Sequence, residues 1–324
     1  MSVNQLLQKF KEKGDKKKLP PLLKREFHTI KPNGSGAAVR VMQWNILAQA
    51  LSQGSDNFVL CPTEALDWEN RHLHIAEEIL TYNPTVLCLE EVDHYDFLAQ
   101  TLQTVGYEGM WFPKPDSPCL YTNNHNGPDG CALFWRTESI ILKNSDNVVL
   151  KDSSLFDTNQ VSIIGRFEMK NISEGQKELY IAVTHLKSKR PYFKLRHEQG
   201  KWLVDYLSQL VGDIPIVICG DFNADPDEKV YEEFLSSTMS LKSAYTCLSH
   251  SGTEPPYTTW KVRGSPKGQQ DICRTLDYIW YSFKNLSVCS LLKFPTAEEL
   301  GDNRLPSFQY PSDHLSLVCD FELI

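Results

Sequence analysis

Seven stretches of the chain concentrate apolar residues over strand-length runs: VMQWNIL (41–47), TVLCLE (85–90), CALFWR (131–136), LYIAVTHLK (179–187), IPIVICGDF (214–222), TLDYIWYS (275–282) and LSLVCDFELI (315–324). Two other stretches repeat at the helical period. NRHLHIAEEILTY (70–82) sets Leu73, Ala76, Ile79 and Leu80 on one face, and Asn83-Pro84 ends it. KLRHEQGKWLVDYLSQLV (194–211) does the same with Leu195, Trp202, Leu203, Tyr206, Leu207 and Leu210. Two helix-then-strand units, together with strands that follow one another directly, predict a mixed α/β sheet system covered by helices. The polar stretch RGSPKGQQD (263–271) reads as a loop inside the domain.

The first forty residues break this pattern. They hold ten Lys/Arg against three Asp/Glu, and Leu19-Pro20-Pro21 interrupts a short helix predicted over 3–13. They are expected to form a basic, flexible arm (1–40) ahead of one catalytic domain (41–324). The formal charge of the whole chain is −8, so the remainder carries −15. So acidic a body is a poor general binder of long polyanions, which are held through many phosphate contacts. It suits a metal-dependent site or a small ligand gripped by a few cations. No apolar run approaches the ~18 residues of a membrane span. Nine cysteines without a C-x-x-C pair, several inside apolar strands, favour a reducing compartment over a disulfide scaffold. The cytoplasm is the expected location, the mitochondrion the alternative, and a monomer the expected state.

Several strands deliver a polar group at or just past an end. Asn45 follows VMQW, Glu90 and Glu91 follow TVLCL, and His185 closes YIAVT with Lys187 two residues on. Asp221 and Asn223 follow PIVICG, Asp277 opens DYIWY, and Asp313-His314 precedes LSLVCDF. Each residue alone fits a cap, a turn or a satisfied core group. Together they form a set that unrelated turns would not supply, placed where α/β folds build ligand sites. The Asp and Glu residues are hard oxygen donors, which select Mg²⁺ or Mn²⁺ over zinc.

In order along the chain, QWNIL, LCLEEVDHY, GCALFWR, VTHLKS, CGDFNADP, TLDYIWYS and YPSDHLSL resemble the motifs of the endonuclease/exonuclease/phosphatase superfamily, related to CCR4-type nuclease domains. That resemblance implies a four-layer α/β/β/α sandwich of two mixed sheets flanked by helices, with the site at one end. It implies Glu91 as the Mg²⁺ ligand beside Asn45, Asp221 positioning or deprotonating water, and Asn223 holding that water or a phosphoryl oxygen. His314, oriented by Asp277, donates to the phosphoryl group, with His185 donating from another side; His314 as the base is the other reading. MQWNILAQAL, FPKPDSPCL, NGPDGCALF, EPPYTTWK and NRLPSFQYPSDHLSLVCDF narrow the likeness to a branch that removes the 2′-phosphate of NADP(H).

That likeness implies Lys114, Lys187 and Lys189 as holders of the substrate's phosphates, Lys189 standing where the branch carries Arg and so lacking its bidentate fork, and Asn159 as a substrate contact. Glu90 stands where the branch carries Gln; it either turns away from the metal or strengthens its site. A 3′-exoribonuclease shortening poly(A) RNA is the alternative activity, and a non-catalytic scaffold the alternative class.

Overall fold

The computed structural model describes residues 1–32, 38–53, 57–170 and 177–324. One sheet contains β1 (Phe27–Thr29), β2 (Ala38–Asn45), β3 (Val86–Glu90), β4 (Tyr107–Pro113), β5 (Gly130–Arg136), β14 (Leu286–Leu292) and β15 (Leu317–Leu323), in the order β1-β14-β15-β2-β3-β5-β4. The second contains β6 (Ile140–Lys151), β7 (Asp157–Met169), β8 (Glu178–His185), β9 (Ile216–Asp221), β10 (Leu241–Ser243) and β13 (Asp277–Ser282), in the order β10-β13-β9-β8-β7-β6. Each sheet has one parallel pair at its centre, β2/β3 and β8/β9, and antiparallel neighbours elsewhere. A parallel pair needs a crossover, and the two predicted helices provide it, as Trp68–Tyr82 and Phe193–Val211.

The sheets pack face to face. Val41, Val86, Cys88 and Leu133 of the first meet Val161, Val183, Val217 and Cys219 of the second in one buried layer. The outer faces are covered by Val3–Lys16, Trp68–Tyr82 and Tyr95–Gln103 on one side, and by Phe193–Val211 and Lys229–Leu235 on the other. This is the expected four-layer α/β/β/α sandwich of two mixed sheets. All nine cysteines are free thiols, and among the described residues no helix is long and apolar enough to cross a membrane.

Two expectations are corrected. The basic N-terminal segment is not a free arm. Ser2 and Gln5 close a capping box at the start of the helix Val3–Lys16, which runs a turn further than predicted. Leu6, Phe10 and Leu22 are buried in the core shared with the helix Trp68–Tyr82. Arg25 then donates to Glu78 at 2.7 Å and to the Ser316 carbonyl at 2.9 Å, and β1 pairs with β14. The lysines of this helix face solvent, and its apolar stripe is short; charge hid an ordinary amphipathic face. Residues 33–37, within the predicted arm, lie outside the described residues.

The predicted loop 263–271 is instead most of a hairpin, β11 (Thr259–Ser265) and β12 (Gly268–Arg274), turning through Pro266-Lys267. The residues of β12 are half or fully exposed, so no alternation of apolar positions announced it.

Candidate active site

The carboxyl ends of β2, β3, β8 and β9 open on one edge of the sandwich, and sheet register places their last residues side by side. His185 and Asp277 both pair with Asp221, and Asn45 pairs with Glu90. Gly220 permits the close approach of β8, because a Cβ there would sit 2.2 Å from the Thr184 carbonyl oxygen. Glu91 and Asn223, just past two of these strands, and Leu47 and Lys189 in nearby loops have φ of 55°, 53°, 61° and 74°. Left-handed backbone at non-glycine residues costs of order 1 kcal/mol or more and persists where surrounding contacts impose it. Here it swings Glu91 and Asn223 out of the strand pleat into the opening.

Asn45 ties the two sheets together. Its Nδ2 donates to Glu91 at 3.1 Å and to Asp221 at 3.0 Å, while its Oδ1 accepts from the Leu47 N–H. Beneath this pair the buried Arg71 guanidinium donates to the carbonyls of Ile46, Leu47 and Pro311, fastening the loops on either side. Asp277 accepts from His314 Nδ1 at 2.8 Å, from the Thr258 hydroxyl at 2.5 Å and from Gln43 at 3.2 Å. His314 Nε2 is thereby aimed at Asp221 Oδ2, 3.8 Å away.

Burial alone would discharge His314, but Asp277, Asp313 and Asp221 outweigh it and push its pKa up to about 9. Burial holds the Asp221 carboxyl up at about 6, against the pull of His314. The site thus presents an imidazolium donor facing a carboxylate poised near neutrality.

These residues form the floor of a cavity of about 870 Å³. Its mouth carries Lys187, Lys189 and Arg190, while Lys114 sits deeper, bonded to Asp129 at 2.5 Å. Arg196 supports the cationic loop from below, donating to the Lys187 and Lys189 carbonyls at 2.9 and 3.0 Å. Burial, then repulsion from Lys189 and Lys114, lowers the Lys187 pKa.

Asn45, Glu91, Lys114, His185, Lys187, Lys189, Asp221, Asn223, Asp277, His314 and Asn159 all gather here, but two are used differently than expected. The ring nitrogens of His185 are engaged by Lys114 at 3.4 Å and Asn223 at 3.0 Å, and burial drives its pKa well down. It is a neutral spacer that orders Lys114 and Asn223. Asn159 uses its whole amide on the Asp116 backbone, accepting from its N–H at 2.6 Å and donating to its C=O. It fastens a cavity wall.

Glu90 turns away from Glu91 and accepts from Gln43 at 2.8 Å, and burial, then Asp277, pushes its pKa well above the usual carboxylate range. Residues that the sequence did not assign also line the cavity: Asp313 paired with Lys261, and Arg263 on β11. The S-D-H triplet advertised Asp313, whereas nothing in the sequence marked the hairpin.

Around the floor, the carboxylates of Glu91, Asp129, Asp221, Asp277 and Asp313 face Lys114, Lys261, protonated His314 and the guanidinium groups of Arg71 and Arg263. Glu91, Asp221 and Asp313 line the cavity with hard oxygen donors, the kind a divalent cation such as Mg²⁺ takes. Asp221, Asp277 and His314 bring ligand atoms within 4.8 Å of one another, but Asp277 is already closed by His314 and Thr258. Glu91 lines the cavity, its two oxygens each accepting one hydrogen bond, from Asn45 and from the Ala48 N–H, and each keeping a lone pair for a cation. Burial and Asp313 raise its pKa, as expected of an anionic ligand lacking its counter-charge.

The endonuclease/exonuclease/phosphatase family pattern matches residues 42–314, which span this whole constellation. The chain belongs to that family. Members hydrolyse phosphoesters with a divalent metal, and the oxygen donors of the floor agree. Nocturnin of Rattus norvegicus is 52% identical over 309 residues, covering 93% of this chain and 70% of that protein. The human nocturnin catalytic domain, solved with a bound sulfate, superposes with a TM-score of 0.78 at 46% identity, covering 94% of this chain and all of that one. ANGEL2, solved as a 2′,3′-cyclic phosphatase in complex with adenosine-2′,3′-vanadate, gives 0.74 at 26% identity, covering 93% and 99%.

Proposed function

We propose that the chain is a Mg²⁺-dependent phosphatase, Mn²⁺ being the alternative ion, that removes the 2′-phosphate of NADP(H) to leave NAD(H). The observation that carries this reading is the division of one cavity into a catalytic floor and a cationic mouth. Its volume falls in the range of small-molecule sites, roughly 300–1,000 Å³, and a dinucleotide with three phosphates has charge for both ends. ANGEL2 is described as a 2′,3′-cyclic phosphatase and was solved with adenosine-2′,3′-vanadate, which supports a phosphoester on a nucleotide's ribose as the target here.

Glu91 would hold the cation, whose charge offsets that of the phosphoryl oxygens and of the departing 2′ oxygen. Asp221 takes the proton of the attacking water, since its raised pKa makes it a base near neutrality. Asn223, held by His185, orients that water or a phosphoryl oxygen. His314 donates from Nε2 as charge builds on the phosphoryl group. Its pKa of about 9 favours this role over that of base. Lys187 and Lys189 take the phosphates that do not react.

Purified protein with Mg²⁺ is incubated with NADPH or with a labelled A-tailed RNA. Phosphate and NADH appear from the first while the second stays intact. A ladder of shortened RNA without phosphate release from NADPH replaces this reading with the exoribonuclease.

A further inference from the structure

The groups assigned so far handle phosphates; none recognises a base. One side chain in the cavity wall has the properties of a base platform. Tyr121 is 77% exposed, the most exposed of the large apolar side chains among the described residues, yet it lines the same cavity as Glu91, Lys187 and His314. A lone exposed tyrosine is ordinary on a protein surface. This one is held at both ends.

Its hydroxyl donates to the Asp116 carboxylate at 2.6 Å, and Asp116 is itself gripped through its backbone by Asn159. Its own backbone closes the short turn Pro118–Tyr121, which is pinned by the buried Cys119 and by the Ser117 hydroxyl bonded to Asp129. The ring is fixed while its faces stay free, so little side-chain entropy remains to be lost on binding.

We propose that Tyr121 is a specificity-determining residue, stacking on a heteroaromatic base of the nucleotide whose phosphate reaches the catalytic floor. The substrate named here rests on the phosphatase reading above; the stacking itself requires only a nucleotide. Base–aromatic stacking of this kind is worth about 5- to 150-fold in affinity.

Tyr121→Ala should therefore raise KM for NADPH about tenfold with kcat little changed, and Tyr121→Trp should restore it. Tyr121→Phe keeps the ring but loses the tether to Asp116, and should fall between wild type and Tyr121→Ala. Equal losses in Tyr121→Phe and Tyr121→Ala would reduce the residue to a loop tether and overturn the proposal, as would an unchanged KM in Tyr121→Ala.

Running 2′-AMP beside NADPH separates the bases: weakening of both places adenine on the ring, and weakening of NADPH alone places nicotinamide there. If the wild type does not hydrolyse NADPH, the same variants are titrated with 5′-AMP in the absence of metal. A drop in affinity of fivefold or more in Tyr121→Ala sustains stacking independently of the reaction, and equal affinity ends it.

Discussion

The floor and the mouth of the cavity are built on opposite plans. On the floor, Asn45, Asp221, Asp277 and His314 are all buried and cross-bonded, and each side chain has at least one partner from a different strand or loop. At the mouth, Lys189, Arg190 and Tyr121 are exposed, and their positions are set by the backbone beneath them, through Arg196 and Asn159. Groups that move protons must be held within fractions of an ångström. Groups that attract a polyanion act through charge and tolerate motion. Substitution on the floor should therefore strike kcat, and substitution at the mouth KM.

The largest effect is expected from Asp221→Asn. The amide keeps the shape and can still meet Asn45, but it accepts no proton from water. General-base loss costs about 10²- to 10⁴-fold in rate, and steady-state phosphate release should show it in kcat with KM nearly constant. A comparable rise in KM would mean that Asp221 binds substrate rather than drives chemistry. Glu91→Ala belongs to the same class, and its loss should persist when Mg²⁺ is raised, while the thermal unfolding transition shows the fold intact.

Next in size is Asp277→Asn, expected to lower kcat about 10²-fold. Its more telling consequence is in pH dependence. Asp221 must be ionised, so activity rises with pH through about 6; His314 must be protonated, so activity falls through about 9. Asp277 is the strongest of the charges holding the His314 pKa up. Without it the alkaline limb should move to lower pH, while the acid limb shifts less. An unmoved alkaline limb would assign it to another group, Lys187 being the first to examine.

The same contrast governs what the sequence could reveal. Floor residues sit at the ends of buried strands, where an Asp or Asn stands out against an apolar run, as in VICGDFN. The family motifs collect there for the same reason. Lys187 was legible because it follows His185 closely on the same loop. Arg263 was not: it belongs to a hairpin whose second strand is half or fully exposed and lacks the period-two signal. The N-terminal segment reads as a free arm because its three buried apolar side chains, Leu6, Phe10 and Leu22, are diluted among the ten basic residues of 1–40. His185 and Asn159 were found as site members, yet their roles depended on partners far away in sequence, Lys114 and Asp116. Position along a strand predicts membership; only the packed structure shows what each side chain holds.

Lys187→Ala tests the mouth directly. The ammonium is half-buried, lies over the Tyr192 ring at 4.9 Å and makes no ion pair among the described residues. It is thus available to a phosphate. Its removal should raise KM for NADPH about 3- to 10-fold, an effect of about 1 kcal/mol, with kcat retained. The difference from wild type should shrink as salt is raised, because a charge at a solvent-filled mouth is screened within about 10 Å at 0.1 M. A fall in kcat alone would move Lys187 from the mouth to the floor.

The smallest effect, and the finest test of the contrast, is Asn159→Ala. If Asn159 gripped substrate, its removal would weaken every ligand that reaches it, whatever residue 121 is. Its amide instead makes both of its bonds to the Asp116 backbone, and Asp116 in turn holds the Tyr121 hydroxyl. Loss of the amide should loosen that wall and raise KM only about two- to threefold, equivalent to about half a kcal/mol. Because the effect passes through the ring's position, it should vanish in a Tyr121→Ala background, where there is no ring left to place. Additive losses in the double variant would mean that Asn159 touches the nucleotide itself, and the mouth would then share the direct, cross-bonded plan of the floor.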